Sequence, residues 1–102
     1  MYIDDAAEAC VFLMNSYEGP GIINVGNGND TSIAELAQFV SDTVGYSGKI
    51  VFDTSKPDGM PRRCLDSSRI LNMGGWRAKT SFREGLYKAY EWYLGNVYKA
   101  EK

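Results

Sequence analysis

Only two stretches of the sequence suit β-strands, and each is four residues long. Ile22–Val25 and Lys49–Phe52 are rich in β-branched or aromatic side chains, and a glycine precedes each of them. Two strands of this length cannot make a stable sheet by themselves. The 102 residues, enough for one small domain, must therefore form their core mainly from helices.

Helical spacing of the apolar residues predicts four helices. Two of them begin with a capping box, Ser32–Glu35 and Ser81–Glu84, in which a serine and a glutamate satisfy free backbone N–H groups. With the two strand candidates, the pattern predicts a helix-rich α/β (α+β) fold of four helices and two or three short strands. The helices are expected over Asp4 to Met14, Ser32 to Val44, Ser67 to Met73 and Phe82 to Val97.

The absence of histidine excludes several kinds of active site. A chain with no histidine has no Ser-His-Asp or Cys-His catalysis and no histidine-bearing zinc site. It is also too short for a dinucleotide-binding domain plus a substrate domain. We therefore expect no catalytic, cofactor-binding or metal-binding residue, and no complete cofactor-dependent enzyme.

Cysteines and hydropathy indicate the compartment. Cys10 and Cys64 lack CxxC spacing, which predicts reduced, packed thiols rather than a disulfide framework. No apolar run approaches the roughly 18 residues of a membrane span, and the acidic start of the chain is unlike a signal peptide. We expect a cytoplasmic protein that does not contact a membrane.

Charge is distributed unevenly along the chain. The net charge is −2, yet the first 55 residues hold eight acids and one base, and the last 47 hold five acids and ten bases. The bases include a cluster within the second half that either binds phosphate or forms a solvated face pairing with the acidic half. The acidic balance and the lack of a basic stripe argue against a nucleic-acid partner. The cluster consists of Lys56, Arg62, Arg63 and Arg69.

The loop from Lys56 to Arg63 combines stiffness with charge. Its two prolines restrict the backbone and its glycine allows a sharp turn, and the loop carries three bases and one acid. Rigid polar loops often contact ligands, because little entropy is lost when they bind. Arginine grips phosphate oxygens with two hydrogen bonds, and aspartate accepts from sugar hydroxyls. The residues alone leave ligand contact and a solvated surface loop both open.

Seven segments of the sequence, in this order and spacing, resemble a known family: Tyr2–Ala9, Ile23–Gly28, Ser55–Arg63, Leu65–Asp66, Gly74–Trp76, Ser81–Leu86 and Glu91–Leu94. They are similar to the C-terminal part of the GDP-L-fucose synthases, the GDP-4-keto-6-deoxymannose epimerase/reductases of the extended short-chain dehydrogenase superfamily. The Lys-Pro-Asp-Gly-x-Pro-Arg run is the most specific of the seven, although Met60 stands where the family usually has threonine.

The resemblance implies a substrate-binding subdomain over residues 1–102, without its Rossmann domain. It implies that the loop faces a GDP-sugar, with Lys56, Asp58 and Arg62 as substrate-binding residues. The family's NADP loop and its catalytic serine, tyrosine and lysine belong to the N-terminal part, so NADP is implied only for a full-length relative. We expect a GDP-sugar-binding subdomain that catalyses nothing alone.

The alternative function is a protein-interaction module derived from the same subdomain. An isolated form exposes a face that the family buries against a Rossmann domain. Exposed apolar faces tend to find partners, and two-fold dimers are the commonest homo-oligomers. The expected partner is therefore the missing Rossmann domain or a second copy of the chain.

Overall fold

A computed structural model describes residues 1–99 and contains the four helices that the sequence predicts. They are α1 (Ile3–Ser16), α2 (Ile33–Val44), α3 (Ser68–Met73) and α4 (Phe82–Tyr93), and a π-helical turn, Leu94–Tyr98, continues α4. The last three residues of the predicted 1–102 subdomain lie outside the described residues. Within residues 1–99, no helix has both the length and the apolar run that a bilayer crossing needs.

Local capping signals explain where α2 and α4 begin. The Ser32 hydroxyl accepts a hydrogen bond from the Glu35 N–H at 3.1 Å, and the Ser81 hydroxyl accepts one from the Glu84 N–H at 3.2 Å. Each bond satisfies one of the free N–H groups in the first turn. At the other end of α2, Gly45 adopts the left-handed conformation (φ 74°) that ends many helices.

The predicted strands are wrong. Neither Ile22–Val25 nor Lys49–Phe52 forms a strand, and residues 1–99 contain none, so the fold is helical rather than α/β. A strand's backbone groups need a neighbouring strand to bond with, and the two segments do not pair with each other. Ile22 is 85% exposed and Val51 is 76% exposed, so these side chains contribute little to any core.

Two small groups of side chains hold the helices together. Ala9, Ile70 and Trp76 are buried together between α1, α3 and the segment after α3. The second group joins α2 to α4 through the rings of Phe39 and Phe82, whose centroids lie 5.4 Å apart. Both cysteines are free and exposed, so the prediction of packed thiols is wrong for them.

The fold is open for its size. Its accessible surface is 8170 Å², whereas a compact monomer of this mass exposes about 5,700 Å². Its radius of gyration is 17.1 Å, against about 13 Å for a compact domain of about 100 residues. The chain thus exposes roughly 2,400 Å² more than a compact monomer would.

Candidate functional site

All four helices contribute to the walls of a large cavity of about 1330 Å³. Its walls include the loop of residues 26–31 and the segment between α3 and α4. Phe39 of α2 and Phe82 of α4 supply apolar surface, while charged side chains come from several elements. Ligand sites commonly combine apolar walls with a few polar groups in this way.

Two of the cations that line the cavity have no carboxylate partner within residues 1–99. Lys79 is neutralised, because its Nζ lies 3.3 Å from a carboxylate oxygen of Glu8. For Arg63 and Arg77, no carboxylate among residues 1–99 lies within 4.0 Å. These two guanidinium groups can therefore bind an anion without first breaking an ion pair.

Arg62, one of the three residues predicted to bind substrate, is paired with a carboxylate in the structure. Its guanidinium Nε donates to Asp30, which stands 32 positions earlier in the chain. The hydrogen bond from Arg62 lowers the pKa of the Asp30 carboxyl, and the same bond raises the pKa of Arg62. Arg62 lines a second, smaller cavity of about 500 Å³.

Lys56 and Asp58 are placed away from the cavities. Both are exposed, and neither is among the residues that line the two cavities. The Asp30–Arg62 pair ties the following part of this loop to residues 26–31, where the Cys64 thiol also lies 3.7 Å from the Gly28 carbonyl oxygen. The structure thus brings Arg62, but not Lys56 or Asp58, to a cavity wall.

Sequence reasoning did not single out Arg63 or Arg77 as site residues. Arg63 belongs to the basic cluster that charge alone had indicated, with phosphate binding and a solvated face as the two alternatives. Arg62 and Arg63 line different cavities. The sequence could not predict this, because an irregular loop gives no fixed direction to successive side chains. For Arg77, the sequence offered no signal beyond its charge.

Asp5 anchors the cavity wall that carries Arg77. Asp5 is only 3% exposed, and its carboxylate accepts a hydrogen bond from the Thr80 N–H at 2.9 Å. Its backbone carbonyl accepts one from the Trp76 indole N–H at 3.2 Å. The N–H group of Thr80 holds the pKa of the Asp5 carboxyl below its usual value, against the opposing effect of burial.

Carboxylates and thiols are the groups through which this chain could hold a metal ion. Across residues 1–99, no three carboxylates or thiols come together as a metal site. The cavity wall also holds the carboxylates of Glu8 and Asp30, and each of these is paired with a base. Arg63 and Arg77 therefore leave the wall with an excess of positive charge, which suits an anion.

Several known proteins are similar in sequence to nearly the whole of this chain. The GDP-L-fucose synthase of Sinorhizobium fredii is 50% identical over 97 residues, which cover 95% of this chain and 31% of that protein. GDP-L-fucose synthase 1 of Arabidopsis thaliana is 46% identical over 97 residues, which cover 95% of this chain and 30% of that protein. The chain therefore spans about 30% of the length of the curated relatives that it matches. No family model matches it.

Two solved structures have a fold similar to that of this chain. A GDP-6-OMe-4-keto-L-xylo-heptose reductase from Campylobacter jejuni superposes with a TM-score of 0.79 at 35% identity, covering 90% of this chain and 29% of that one. A GDP-mannoheptose C4 reductase from the same organism, with NADP bound, superposes with a TM-score of 0.77 at 36% identity. It covers 89% of this chain and 29% of that one. The likeness thus extends over nearly all of this chain.

Proposed function

Since the chain belongs to the GDP-L-fucose synthase family and corresponds to its C-terminal part, we propose that it is a cytoplasmic subdomain that binds a GDP-sugar. The observation that carries the proposal is the larger cavity, which has the unpaired guanidinium of Arg63 in its wall. Arginine is suited to the phosphate oxygens of a nucleotide, because its planar fork donates two parallel hydrogen bonds.

The loop residues Lys56, Asp58 and Arg62 stay predicted ligand contacts. Arg62 has to exchange the Asp30 carboxylate for a ligand phosphate, since one guanidinium edge cannot serve both. Both partners of this ion pair are well exposed, so the exchange meets little resistance. Lys56 and Asp58 require a ligand that extends beyond the cavity, as the sugar of a nucleotide-sugar could.

The subdomain is proposed to bind without catalysing. It has no histidine and spans about 30% of the length of relatives named as synthases. An assay of NADPH absorbance with GDP-4-keto-6-deoxymannose, at high protein concentration, tests this point. We expect no turnover, and sustained oxidation that requires both the protein and the sugar would contradict it.

The large exposed surface supports a partner for this subdomain. The roughly 2,400 Å² in excess of a compact monomer is more than each partner buries in an ordinary interface, which is about 800 Å². A cofactor-binding domain of the kind implied by the family, or a second copy of this chain, would cover it. The self-associating module is the alternative function, and a dimer that binds no nucleotide would favour it.

Calorimetric titration with GDP tests nucleotide binding. We expect Arg63→Ala to weaken GDP binding by about 10- to 150-fold, the cost of one charge-assisted contact. Arg62→Ala is expected to weaken it as well if the loop makes its predicted contact. Lys49→Ala is the matched control, because it removes one exposed positive charge that lines neither cavity. Equal GDP affinity in Arg63→Ala and Lys49→Ala would refute the proposed site.

A further inference from the structure

The segment of residues 76–80, here the 76–80 loop, forms one continuous wall of the larger cavity. It follows Gly74 and Gly75, which come after α3, and leads to Ser81, the capping serine of α4. Two of its five residues are basic, Arg77 and Lys79, and both line the cavity. The loop was not among the sites that the sequence predicted.

The two bases of the loop differ in their surroundings. Lys79 is paired with Glu8 at 3.3 Å, so its charge is largely compensated. Arg77 is exposed and has no carboxylate within 4.0 Å among the residues that the structure describes. Arg77 is thus the base of this loop that is available to an incoming anion.

Residues on both sides of Arg77 are hydrogen-bonded to Asp5 of α1. Trp76 donates its indole N–H to the Asp5 carbonyl at 3.2 Å, and Thr80 donates its backbone N–H to the Asp5 carboxylate at 2.9 Å. Trp76 is itself only 7% exposed. A loop held at both ends loses little conformational freedom when its side chains bind a ligand.

The cavity therefore presents two guanidinium groups from different elements, Arg63 and Arg77, that pair with no carboxylate in the described part of the chain. Each can grip one phosphate group, and a nucleoside diphosphate carries two. We propose that Arg77 binds a phosphate group of the nucleoside diphosphate, and that Asp5 is the residue that positions it. This inference rests on the proposed function, because it names further groups of the same site.

Titrations with GDP and guanosine test the contact of Arg77. We expect Arg77→Ala to weaken GDP binding by about 10- to 150-fold and to leave guanosine binding unchanged, because guanosine has no phosphate. The GDP affinity of Arg77→Lys should lie between those of the wild type and Arg77→Ala, since lysine keeps the charge but cannot donate two parallel hydrogen bonds. Lys49→Ala is the matched control: it removes one exposed positive charge that lines neither cavity, and we expect less than a threefold change in GDP affinity, on the order of 0.6 kcal/mol.

The positioning role of Asp5 is tested by comparing Asp5→Asn with the same substitution at the neighbouring Asp4. Asp5→Asn and Asp4→Asn remove the same charge from the first turn of α1, but only Asp5 contacts the 76–80 loop. We expect Asp5→Asn to shift the Thr80 amide resonance and the Trp76 fluorescence and to weaken GDP binding. Asp4→Asn should leave all three unchanged.

The outcomes separate this inference from the proposed function. A wild-type chain that binds no GDP overturns both. Weakened binding in Arg63→Ala with normal binding in Arg77→Ala overturns this inference alone. The positioning role of Asp5 is overturned if Asp5→Asn changes the Thr80 amide resonance and the Trp76 fluorescence but leaves the GDP affinity at the wild-type value.

Discussion

Replacing Ile70 by alanine tests whether the small core of α1, α3 and Trp76 holds the cavity wall in place. Ile70 is completely buried and is the largest fully buried side chain among the described residues. The change removes three carbons, which at roughly 0.8 kcal/mol per buried CH₂ is about 2.4 kcal/mol. A cavity adds to this cost, and isoleucine-to-alanine changes in cores cost about 2–5 kcal/mol.

The surroundings of Ile70 place the expected loss in the lower part of that range. The side chains packed around the core are only partly buried, and such neighbours can move to fill part of the space. We expect the free energy of unfolding to fall by about 2–3.5 kcal/mol, which lowers Tm by about 10–20 °C in a domain of this size. The neighbours are Phe12, Leu13, Ile23, Val25 and Ala78.

Urea unfolding followed by the fluorescence of Trp76 measures this loss. The exposed Trp92 is replaced by phenylalanine in every variant, so that the signal reports the core. Leu71→Ala is the matched control, because Leu71 is the next residue of α3 and is 44% exposed; we expect it to cost less than about 1 kcal/mol. Ile70→Val should cost about 0.5–1.5 kcal/mol. Equal losses for Ile70→Ala and Leu71→Ala would show that this core does not stabilise the fold.

The remaining predictions concern pH, a glycine and association. The pKa of the Asp5 carboxyl is lowered in the folded protein, so its charge stabilises the fold above the ordinary value of 3.8, and this stabilisation is lost as pH falls through the folded value. Asp5→Asn should therefore make the free energy of unfolding fall less steeply as the pH is lowered, and an unchanged pH dependence would contradict this. Gly75→Ala should destabilise more than Gly74→Ala in thermal melts, because both have positive φ but only at Gly75 would the new Cβ lie within 3 Å of Phe12, at 2.9 Å. Sedimentation equilibrium from micromolar to millimolar protein should show a mass rising above one chain; a constant monomer mass would refute association.

The helices were predictable because their signals are local. Ser32 and Ser81 each lie within three residues of the N–H group that they cap, so short-range spacing is enough to place the start of a helix. The strand prediction failed at Ile22–Val25 for the opposite reason, since a strand depends on a partner that local sequence does not specify.

The site was only partly predictable. The family resemblance indicated the loop from Lys56 to Arg63, of which Arg62 and Arg63 line a cavity, but the pairing of Arg62 with Asp30 joins positions 32 apart. The contact between Asp5 and Thr80 joins positions 75 apart. Contacts of this range depend on how the helices pack, which the spacing of residues along the chain does not reveal.

The exposed apolar side chains of the irregular segments have a consequence for the lifetime of the protein in a cell. Ile22, Val51 and Phe52 are more than half exposed, on backbone that no helix protects. Proteases cleave such accessible backbone, and chaperones bind such side chains, before a stably folded region is touched. A partner that covered these segments would protect them, so the amount of this chain would follow the amount of its partner. Its abundance would then be set by degradation of the unassembled copies as well as by synthesis.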